Sequence, residues 1–284
     1  MDVATIGVVG AGLTGRGIAQ VAAQGGFDVY LFDVQPSVVD DALMRIGQRL
    51  ASDTRKARIS QDDSERVLRR IRACSRLSDF AEVDMVIEAV PEKLATKEQV
   101  FRELSRICPA RTIFASNTSG LSITAMASVT DRPESFLGMH FFHPVPVMQL
   151  VELVRGSETS ETAMDVAKSI CDRMGKTTIE AAESPLFVVN RILVPMINEA
   201  IFVLQEGLAT AEAIDTGMKL GANHPIGPLA LADMVGLDTL LDTAQTLLAE
   251  TGDTKYRPPL LLRQMVRAGR LGRKSGSGFY DYAD

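Results

Sequence analysis

The sequence predicts an α/β domain with a mostly parallel sheet, followed by an all-α domain. Three observations support this prediction. Short apolar runs alternate with helical patterns in the first 185 residues, a glycine-rich turn follows the first apolar run, and no convincing strand pattern occurs after residue 186. Alternating strands and helices are typical of a parallel sheet with helices on both faces. We therefore expect a sheet domain over 1–185 and a helical domain over 186–284.

Seven apolar runs have the length and composition of buried strands. They occupy residues 3–9, 29–33, 83–90, 112–117, 136–142, 150–154 and 177–181. The sequence between the second and third runs is charged and helical in pattern over 37–72, and an amphipathic helix is predicted over 96–108. The helical domain is predicted to contain helices over 186–205, 210–220, 229–250 (one or two) and 259–268. Pro195 is expected to kink the first of these.

The glycine-rich turn has the spacing of a dinucleotide-binding fingerprint. Gly10 permits a tight turn, Gly12 lets the backbone approach a pyrophosphate, and Gly15 lets the helix pack close to the strand. Leu13 and Thr14 open that helix, whose N-terminal N–H groups and dipole favour phosphate. The turn therefore predicts a Rossmann-like dinucleotide site. The alternative is an ordinary tight turn between a strand and a helix.

An acidic residue at the end of the second strand indicates which dinucleotide binds. Asp33 lies 23 residues after Gly10, where a carboxylate can accept a hydrogen bond from an adenosine ribose 2′-hydroxyl. The same carboxylate would repel a 2′-phosphate, and Val34 and Gln35 supply no compensating cation. The sequence thus favours NAD over NADP, unless an arginine from elsewhere in the chain reaches this position.

Composition and charge limit the classes of partner and ligand that the protein is expected to bind. The net charge of −6 and the absence of a basic stripe argue against a nucleic-acid partner. The three cysteines have no metal-ligand spacing, so we expect no metal site and reduced thiols in a cytoplasmic protein. The N-terminus lacks the basic region of a signal peptide. The longest apolar stretch, 186–204, is interrupted by polar residues, so we expect no membrane span.

Two histidines near a strand end are candidates for an acid–base role. A dehydrogenase needs a base to take the hydroxyl proton as hydride leaves, and an imidazole suits this task. His140 and His143 lie near the end of the 136–142 run, where ligands of open α/β sheets bind. Glu152, on the next strand, could orient an imidazole and stabilise its cation. The alternative is a histidine whose hydrogen bonds are satisfied in the core.

Three further groups of polar residues have a functional and a structural interpretation. Residues 116–120 could supply donors to a substrate oxygen, or could simply cap a turn. Asn190 is an amide in an apolar run, which favours a functional role because buried polar groups need partners. The basic cluster at 55–58 is either a solvated helix face or a docking patch for a phosphate-bearing substrate tail.

Together these motifs resemble the 3-hydroxyacyl-CoA dehydrogenase family, particularly its short bacterial members that act on 3-hydroxybutyryl-CoA. The resemblance covers nearly the whole chain. The matching segments are 10–12, 115–119, 139–142, 146–148, 189–191, 218–222 and 278–280. It implies NAD-dependent oxidation of a 3-hydroxyacyl thioester to the 3-oxoacyl thioester, and homodimers formed through the helical domain.

The resemblance also implies roles for individual residues. His140 is the catalytic base and Glu152 its partner, and Ser119 and Asn190 hold the substrate's oxygens. Glu92 and Lys97 lie at the nicotinamide end of the cofactor, and Asn117 belongs to the same cofactor site. Ser52 and Lys56 would meet the CoA moiety.

The chain departs from the family pattern at three positions. His143 replaces an asparagine and is a further candidate for substrate contact, Gly120 replaces a serine, and Leu186 replaces a glycine. These changes concern the acyl site rather than the cofactor. One alternative is therefore the same chemistry on an acyl group carried by an acyl carrier protein. A hydroxyacid dehydrogenase of the phosphogluconate type and a non-catalytic NAD-binding structural protein are further alternatives. The His140–Glu152 pair argues against the first of these two, and the retained site residues argue against the second.

Overall fold

The computed structural model describes residues 3–282, and the chain divides into two compact units between Phe187 and Val188. The first unit contains an eight-stranded sheet. Its strands are β1 (Thr5–Val9), β2 (Asp28–Phe32), β3 (Ile71–Cys74), β4 (Met85–Glu88), β5 (Ile113–Ser116), β6 (Phe136–Phe141), β7 (Leu150–Arg155) and β8 (Thr177–Ala182). Its helices are α1 (Leu13–Gln24), α2 (Pro36–Arg55), α3 (Gln61–Arg69), α4 (Leu94–Ile107), α5 (Ile123–Ala127) and α6 (Glu161–Arg173).

The sheet is mostly parallel, as the sequence predicts. Its strand order is β3-β2-β1-β4-β5-β6-β7-β8, and only the β6–β7 pair is antiparallel among the described strands. The chain reverses direction across the sheet between β1 and β4, which is the switch point where open α/β sheets bind ligands. One apolar core lies between the sheet and α1, α2 and α6, and a second lies beneath α4 and α5.

One strand of the sheet was predicted to be helical. The charged pattern predicts a helical conformation up to residue 72, but α3 ends at Arg69 and β3 begins at Ile71. Ile71 and Cys74 are buried at the two ends of β3, and the residues between them are exposed. So short an edge strand has too little apolar alternation to be recognised beside a charged helix.

The second unit is helical. Its helices are α7 (Val189–Gln205), α8 (Ala211–Gly221), α9 (Pro228–Val235), α10 (Leu237–Thr251) and α11 (Leu260–Arg267). α7 begins three residues later than predicted, because Leu186 and Phe187 have left-handed backbones, with φ of 59° and 56°. Pro195 lies inside α7.

The glycine-rich tail is fastened to the helical unit by a buried carboxylate. Asp233 accepts hydrogen bonds from the N–H groups of Phe279 and Tyr280, at 2.9 and 3.0 Å. A Cβ on Gly278 would lie 2.0 Å from an oxygen of this carboxylate, so only glycine fits there.

Within residues 3–282, no helix has both the length and the apolar composition of a membrane span.

Candidate active site

A large cavity lies at the carboxyl ends of β1, β2 and β4. Its volume is about 900 Å³, and Gly10, Gly12, Thr14 and Asp33 contribute to its lining. The N-terminus of α1 points to this region, and Gly12, its N-cap residue, has no side chain to cap the helix. The first N–H groups of α1 are therefore available to an anionic ligand.

The three glycines of the turn have the geometry that the fingerprint requires. Gly10 has a φ of 96°, which favours glycine, and a Cβ on Gly15 would lie 1.8 Å from the Gly10 carbonyl oxygen. A Cβ on Gly12 would meet no protein atom within 4 Å. The space beside the Gly12 backbone is thus open to a ligand, and the residues present fit a bound dinucleotide.

Asp33 is fixed at one end of this cavity. Its carboxylate accepts hydrogen bonds from the N–H groups of Ala11 at 2.9 Å and Gln35 at 3.0 Å. These bonds hold the carboxylate in one orientation, which suits hydrogen bonding to a ribose hydroxyl. Arg76, between β3 and β4, lines the same cavity. An arginine from elsewhere in the chain therefore lines the cavity that contains Asp33.

His140 and Glu152 form a buried pair near the carboxyl end of β6. They face each other in the antiparallel β6–β7 ladder, and Nδ1 of His140 lies 2.7 Å from Oε2 of Glu152. His140 is 5% exposed and Glu152 is fully buried. A carboxylate beside Nδ1 fixes the ring orientation and stabilises a proton there, which leaves Nε2 for proton exchange with a ligand.

Two aromatic rings cover the imidazole of His140. The ring centroid of Phe142 lies 4.6 Å from that of His140, and the centroid of Phe187 lies at 5.7 Å. The imidazole therefore packs against apolar rings, and the pair is buried, where electrostatic interactions are stronger than in water.

The loop after β5 contains Asn117 and Ser119, and hydrogen bonds fix both residues. Oδ1 of Asn117 accepts the N–H of Phe141 at 2.9 Å, next to His140. Glu92 accepts the N–H of Ser119 at 2.8 Å and the hydroxyl of Thr118 at 2.5 Å. The structure thus links Glu92, Asn117 and Ser119 to the carboxyl ends of β5 and β6.

Lys97 is buried and makes its contacts with protein groups. Its ammonium lies 2.7 Å from Glu88 and 3.2 Å from Glu92, and its side chain is 1% exposed. Lys97 does not line the large cavity, whereas its neighbour Thr96 does. The sequence pattern does not indicate that Glu88 belongs to this group.

A second, smaller cavity of about 330 Å³ is rich in arginine, and we call it the arginine cavity. Arg16 of α1, Arg45 and Arg49 of α2, and His143 line it. Burial lowers the pKa of His143, and the nearby Arg16 charge lowers it further. Behind this site, the ammonium of Lys176 donates to the carbonyls of Val145 and Met148 at 2.6 and 2.8 Å. His143 therefore lies beside a cluster of positive side chains, whose arginines also pair with Asp41 and Asp53.

The two residues expected to contact CoA lie outside the lining of the arginine cavity. Ser52 is half-buried in the last turn of α2 and Lys56 is exposed at its C-cap. Their spacing from Arg45 and Arg49 nevertheless puts all four residues on one face of the helix. The arginines were missed because Arg16, α2 and His143 are distant in the sequence.

Asn190 belongs to the helical unit. It lies in the first turn of α7 and is half-buried. It therefore belongs to a different compact unit from Ser119 and His140.

Two of the three departures from the family pattern are in direct contact. A Cβ on Gly120 would lie 2.6 Å from Cδ2 and 3.1 Å from Cγ of Leu186, so the leucine occupies the space that a serine side chain would need. Leu186 is 5% exposed and keeps its left-handed φ. The absence of a side chain at 120 thus accommodates the leucine at 186, despite the backbone strain.

This contact predicts a non-additive response to mutation. Gly120→Ser should destabilise the protein by about 1–3 kcal/mol through overpacking. Leu186→Gly should also be destabilising, because a buried side chain is lost. The double variant should recover about 1 kcal/mol or more relative to the sum of the single effects. Thermal unfolding of the wild type and the three variants tests this expectation, and additive effects would contradict the proposed contact.

The chain matches two family models that together cover most of its length. Residues 5–184 match the 3-hydroxyacyl-CoA dehydrogenase NAD binding domain, and residues 187–282 match the 3-hydroxyacyl-CoA dehydrogenase C-terminal domain. The chain is 51% identical over 285 residues to a probable 3-hydroxybutyryl-CoA dehydrogenase of Bacillus subtilis, covering 100% of this chain and 99% of the relative. It is 48% identical over 277 residues to the 3-hydroxybutyryl-CoA dehydrogenase of Bradyrhizobium diazoefficiens, covering 98% and 94%.

A solved structure shares the fold over its full length. The crystal structure of (S)-3-hydroxybutyryl-CoA dehydrogenase from Ralstonia eutropha superimposes with a TM-score of 0.97 at 47% identity, covering 100% of both chains. The matching family models and this fold confirm the predicted family, fold class and NAD cofactor. The chain belongs to the 3-hydroxyacyl-CoA dehydrogenase family and is an NAD-dependent oxidoreductase that acts on 3-hydroxyacyl-CoA.

Proposed function

We propose that the protein oxidises short (S)-3-hydroxyacyl-CoA thioesters, with 3-hydroxybutyryl-CoA as the representative substrate. The names of its relatives support this substrate class. The observation that carries the catalytic assignment is the 2.7 Å contact between His140 and Glu152 near the carboxyl end of β6. NAD, when bound, supplies the acceptor for the hydride from C3 of the substrate.

His140 is the base in this proposal. Because Nδ1 faces the Glu152 carboxylate, Nε2 takes the proton of the 3-hydroxyl group. The resulting imidazolium is stabilised by Glu152 in a buried setting, where a carboxylate is an effective counter-charge. Phe142 and Phe187 exclude water from the ring.

Ser119 and Asn190 bind the substrate's oxygens in this proposal. The Ser119 N–H donates to Glu92, which fixes the backbone from which its hydroxyl extends. Fixed donors lose little freedom when the substrate binds, and a misplacement of about 1 Å can cost about 10²-fold in rate. Asn190 is assigned by the family resemblance alone.

The arginine cavity is the proposed site for the phosphate groups of CoA. Three guanidinium groups line it, and arginine pairs well with phosphate oxygens. The same face of α2 continues from Arg49 through Ser52 to Lys56. The helix can therefore contact an extended anionic group such as the CoA moiety along this face. His143 lines the same cavity and is the proposed neutral member of the site.

Replacing one arginine should weaken CoA recognition without affecting the reaction. Arg49→Met is expected to raise KM for 3-hydroxybutyryl-CoA about tenfold or more, because a charged hydrogen bond to phosphate is lost. KM for the corresponding pantetheine thioester should not change, since it lacks the nucleotide phosphates. Steady-state kinetics with both thioesters tests this, with Arg69→Met on the exposed face of α3 as the control. An equal rise in KM for both thioesters would contradict the assignment.

The carrier-protein alternative is tested by comparing the same acyl group as a CoA thioester and as an acyl carrier protein thioester. We expect 3-hydroxybutyryl-CoA to be used at least as well as the thioester of an acyl carrier protein. Equal or better use of CoA rejects the carrier-protein alternative, whereas a clear preference for the carrier protein would reject the CoA assignment.

We also propose that two copies associate through the helical unit. The described part of this unit, residues 188–282, exposes seven large apolar side chains, although it is the shorter of the two units, and exposed apolar surface commonly marks an interface. They are Val188, Ile192, Leu208, Leu220, Met234, Val235 and Leu260. Light scattering coupled to size-exclusion chromatography should give the mass of a dimer, and a monomer at micromolar concentration would contradict this proposal.

A further inference from the structure

A group of buried and partly buried hydrogen bonds connects the carboxyl ends of β4 and β5, and we call it the Glu88 circuit. It consists of Glu88, Lys97, Glu92, Ser116 and Thr118. Glu88, at the end of β4, accepts from Lys97 at 2.7 Å and from the hydroxyl of Ser116 at 2.6 Å. Lys97 continues to Glu92 at 3.2 Å, and Glu92 accepts the hydroxyl of Thr118 at 2.5 Å. These contacts thus connect the end of β4 to the loop that follows β5.

Burying the carboxyl group of Glu88 is energetically unfavourable for the fold. It is fully buried, and burial raises the pKa of its carboxyl group, while the Lys97 charge acts in the opposite direction. Three donors converge on it, because the N–H of Val90 also donates to Oε1 at 2.6 Å. An apolar pair of similar volume would often stabilise a fold equally well, so the arrangement calls for another explanation.

The contacts of Glu92 connect this circuit to the substrate site. One oxygen of Glu92 faces Lys97, and the other accepts the N–H of Ser119 at 2.8 Å. Glu92 is itself 44% exposed, and its contacts with the buried lysine, with Thr118 and with Ser119 hold it in place. The position of that lysine in turn depends on Glu88.

We propose that Glu88 is a positioning residue for the reaction: it fixes Lys97 and, through Glu92, the Ser119 loop, and it sets the charge next to the nicotinamide. The part about the nicotinamide rests on the proposed function together with the family resemblance, which implies that Glu92 lies at the nicotinamide end of the cofactor. Glu88 does not touch the reacting atoms.

The charge of the circuit has a consequence for the two forms of the cofactor. With both carboxyl groups ionised, the circuit holds two negative charges and one ammonium group, which leaves one negative charge in excess. The nicotinamide ring is positive when oxidised and neutral when reduced. A negative charge nearby therefore stabilises bound NAD⁺ relative to bound NADH.

Glu88→Gln tests the charge, because glutamine keeps the volume and can still accept from Lys97. We expect the affinity for NAD⁺ to fall about threefold to tenfold relative to the affinity for NADH. The dissociation constants of both cofactors, measured by fluorescence titration without thioester, give this ratio. An unchanged ratio in a folded Glu88→Gln protein would overturn the charge part of the inference.

Ser116→Ala tests the positioning, because it removes one hydrogen bond and keeps every charge. We expect kcat for 3-hydroxybutyryl-CoA to fall about tenfold, with the NAD⁺ to NADH affinity ratio unchanged. Thr112→Val is the matched control. Thr112 is also fully buried next to β5, but its hydroxyl donates to Val83 at 2.8 Å, at the other end of the strand. Equal kcat losses in Ser116→Ala and Thr112→Val would show a merely structural role and overturn the positioning part.

The two variants keep the inference testable under other outcomes. If Glu88→Gln does not fold, as judged by circular dichroism, the comparison of Ser116→Ala with Thr112→Val still decides the positioning role. If the wild type binds cofactor but oxidises no thioester, the proposed function fails, and the affinity ratio still tests Glu88.

Discussion

Replacing His140 by glutamine is expected to lower kcat about 10²–10⁴-fold, which is the usual contribution of a positioned general base. Glutamine fills a similar volume and can form a hydrogen bond with Glu152, but it cannot take the proton of the 3-hydroxyl group. The affinity for NAD, measured by fluorescence titration, should remain close to that of the wild type because His140 does not line the large cavity. The measurement is the rate of NADH formation with 3-hydroxybutyryl-CoA.

His224→Gln is the control for this experiment. His224 is half-buried after α8 in the helical unit, and no catalytic role is assigned to it. Its replacement should leave kcat within about twofold of the wild type, as expected for a change away from the chemistry. Near-wild-type turnover in His140→Gln would exclude His140 as the base.

Replacing Glu152 by glutamine should have an effect of similar size. The amide can present an N–H to Nδ1 of His140, which favours the tautomer with its proton on Nε2 and blocks proton uptake there. It also removes the counter-charge of the imidazolium. A comparable change in a serine protease, where the carboxylate beside the histidine becomes an amide, lowers kcat about 10⁴-fold. We expect a loss of about 10²–10⁴-fold here, measured as kcat across pH 6–9.

Glu180→Gln is the control for Glu152. Glu180 is on the neighbouring strand β8 and forms a surface ion pair with Arg155 at 3.2 Å, and such pairs contribute little. If Glu152→Gln keeps wild-type turnover, the imidazolium does not need its carboxylate, and the proton-transfer part of the proposal is wrong.

Sequence reasoning could predict the parts of the site that depend on local pattern. The glycine turn, Asp33 and the strand carrying His140 follow from residue spacing and strand periodicity, and the predicted fold class is confirmed. His140 and Glu152 lie opposite each other because β6 and β7 are antiparallel and in this register. The sequence predicts these two strands but not their relative direction.

The remaining features depend on contacts between residues that are distant in the sequence. The arginine cavity combines Arg16, α2 and His143, and none of these is distinctive alone. In the sequence, Glu88 is simply the last residue of a predicted buried strand. Its role becomes evident only from its ion pair with Lys97 in the structure. The Gly120–Leu186 contact joins two apparently separate departures from the family pattern.

Transfer of a labelled hydrogen tests the central claim most directly. The protein is incubated with NAD and (S)-3-hydroxybutyryl-CoA deuterated at C3, and the cofactor and the thioester are examined by mass spectrometry. We predict that the deuterium appears in the reduced nicotinamide, that 3-oxobutyryl-CoA forms in equal amount, and that turnover is slower than with the unlabelled substrate or unchanged where product release limits the rate. Reduced cofactor without deuterium, or no reduced cofactor with any 3-hydroxyacyl thioester, would contradict the account.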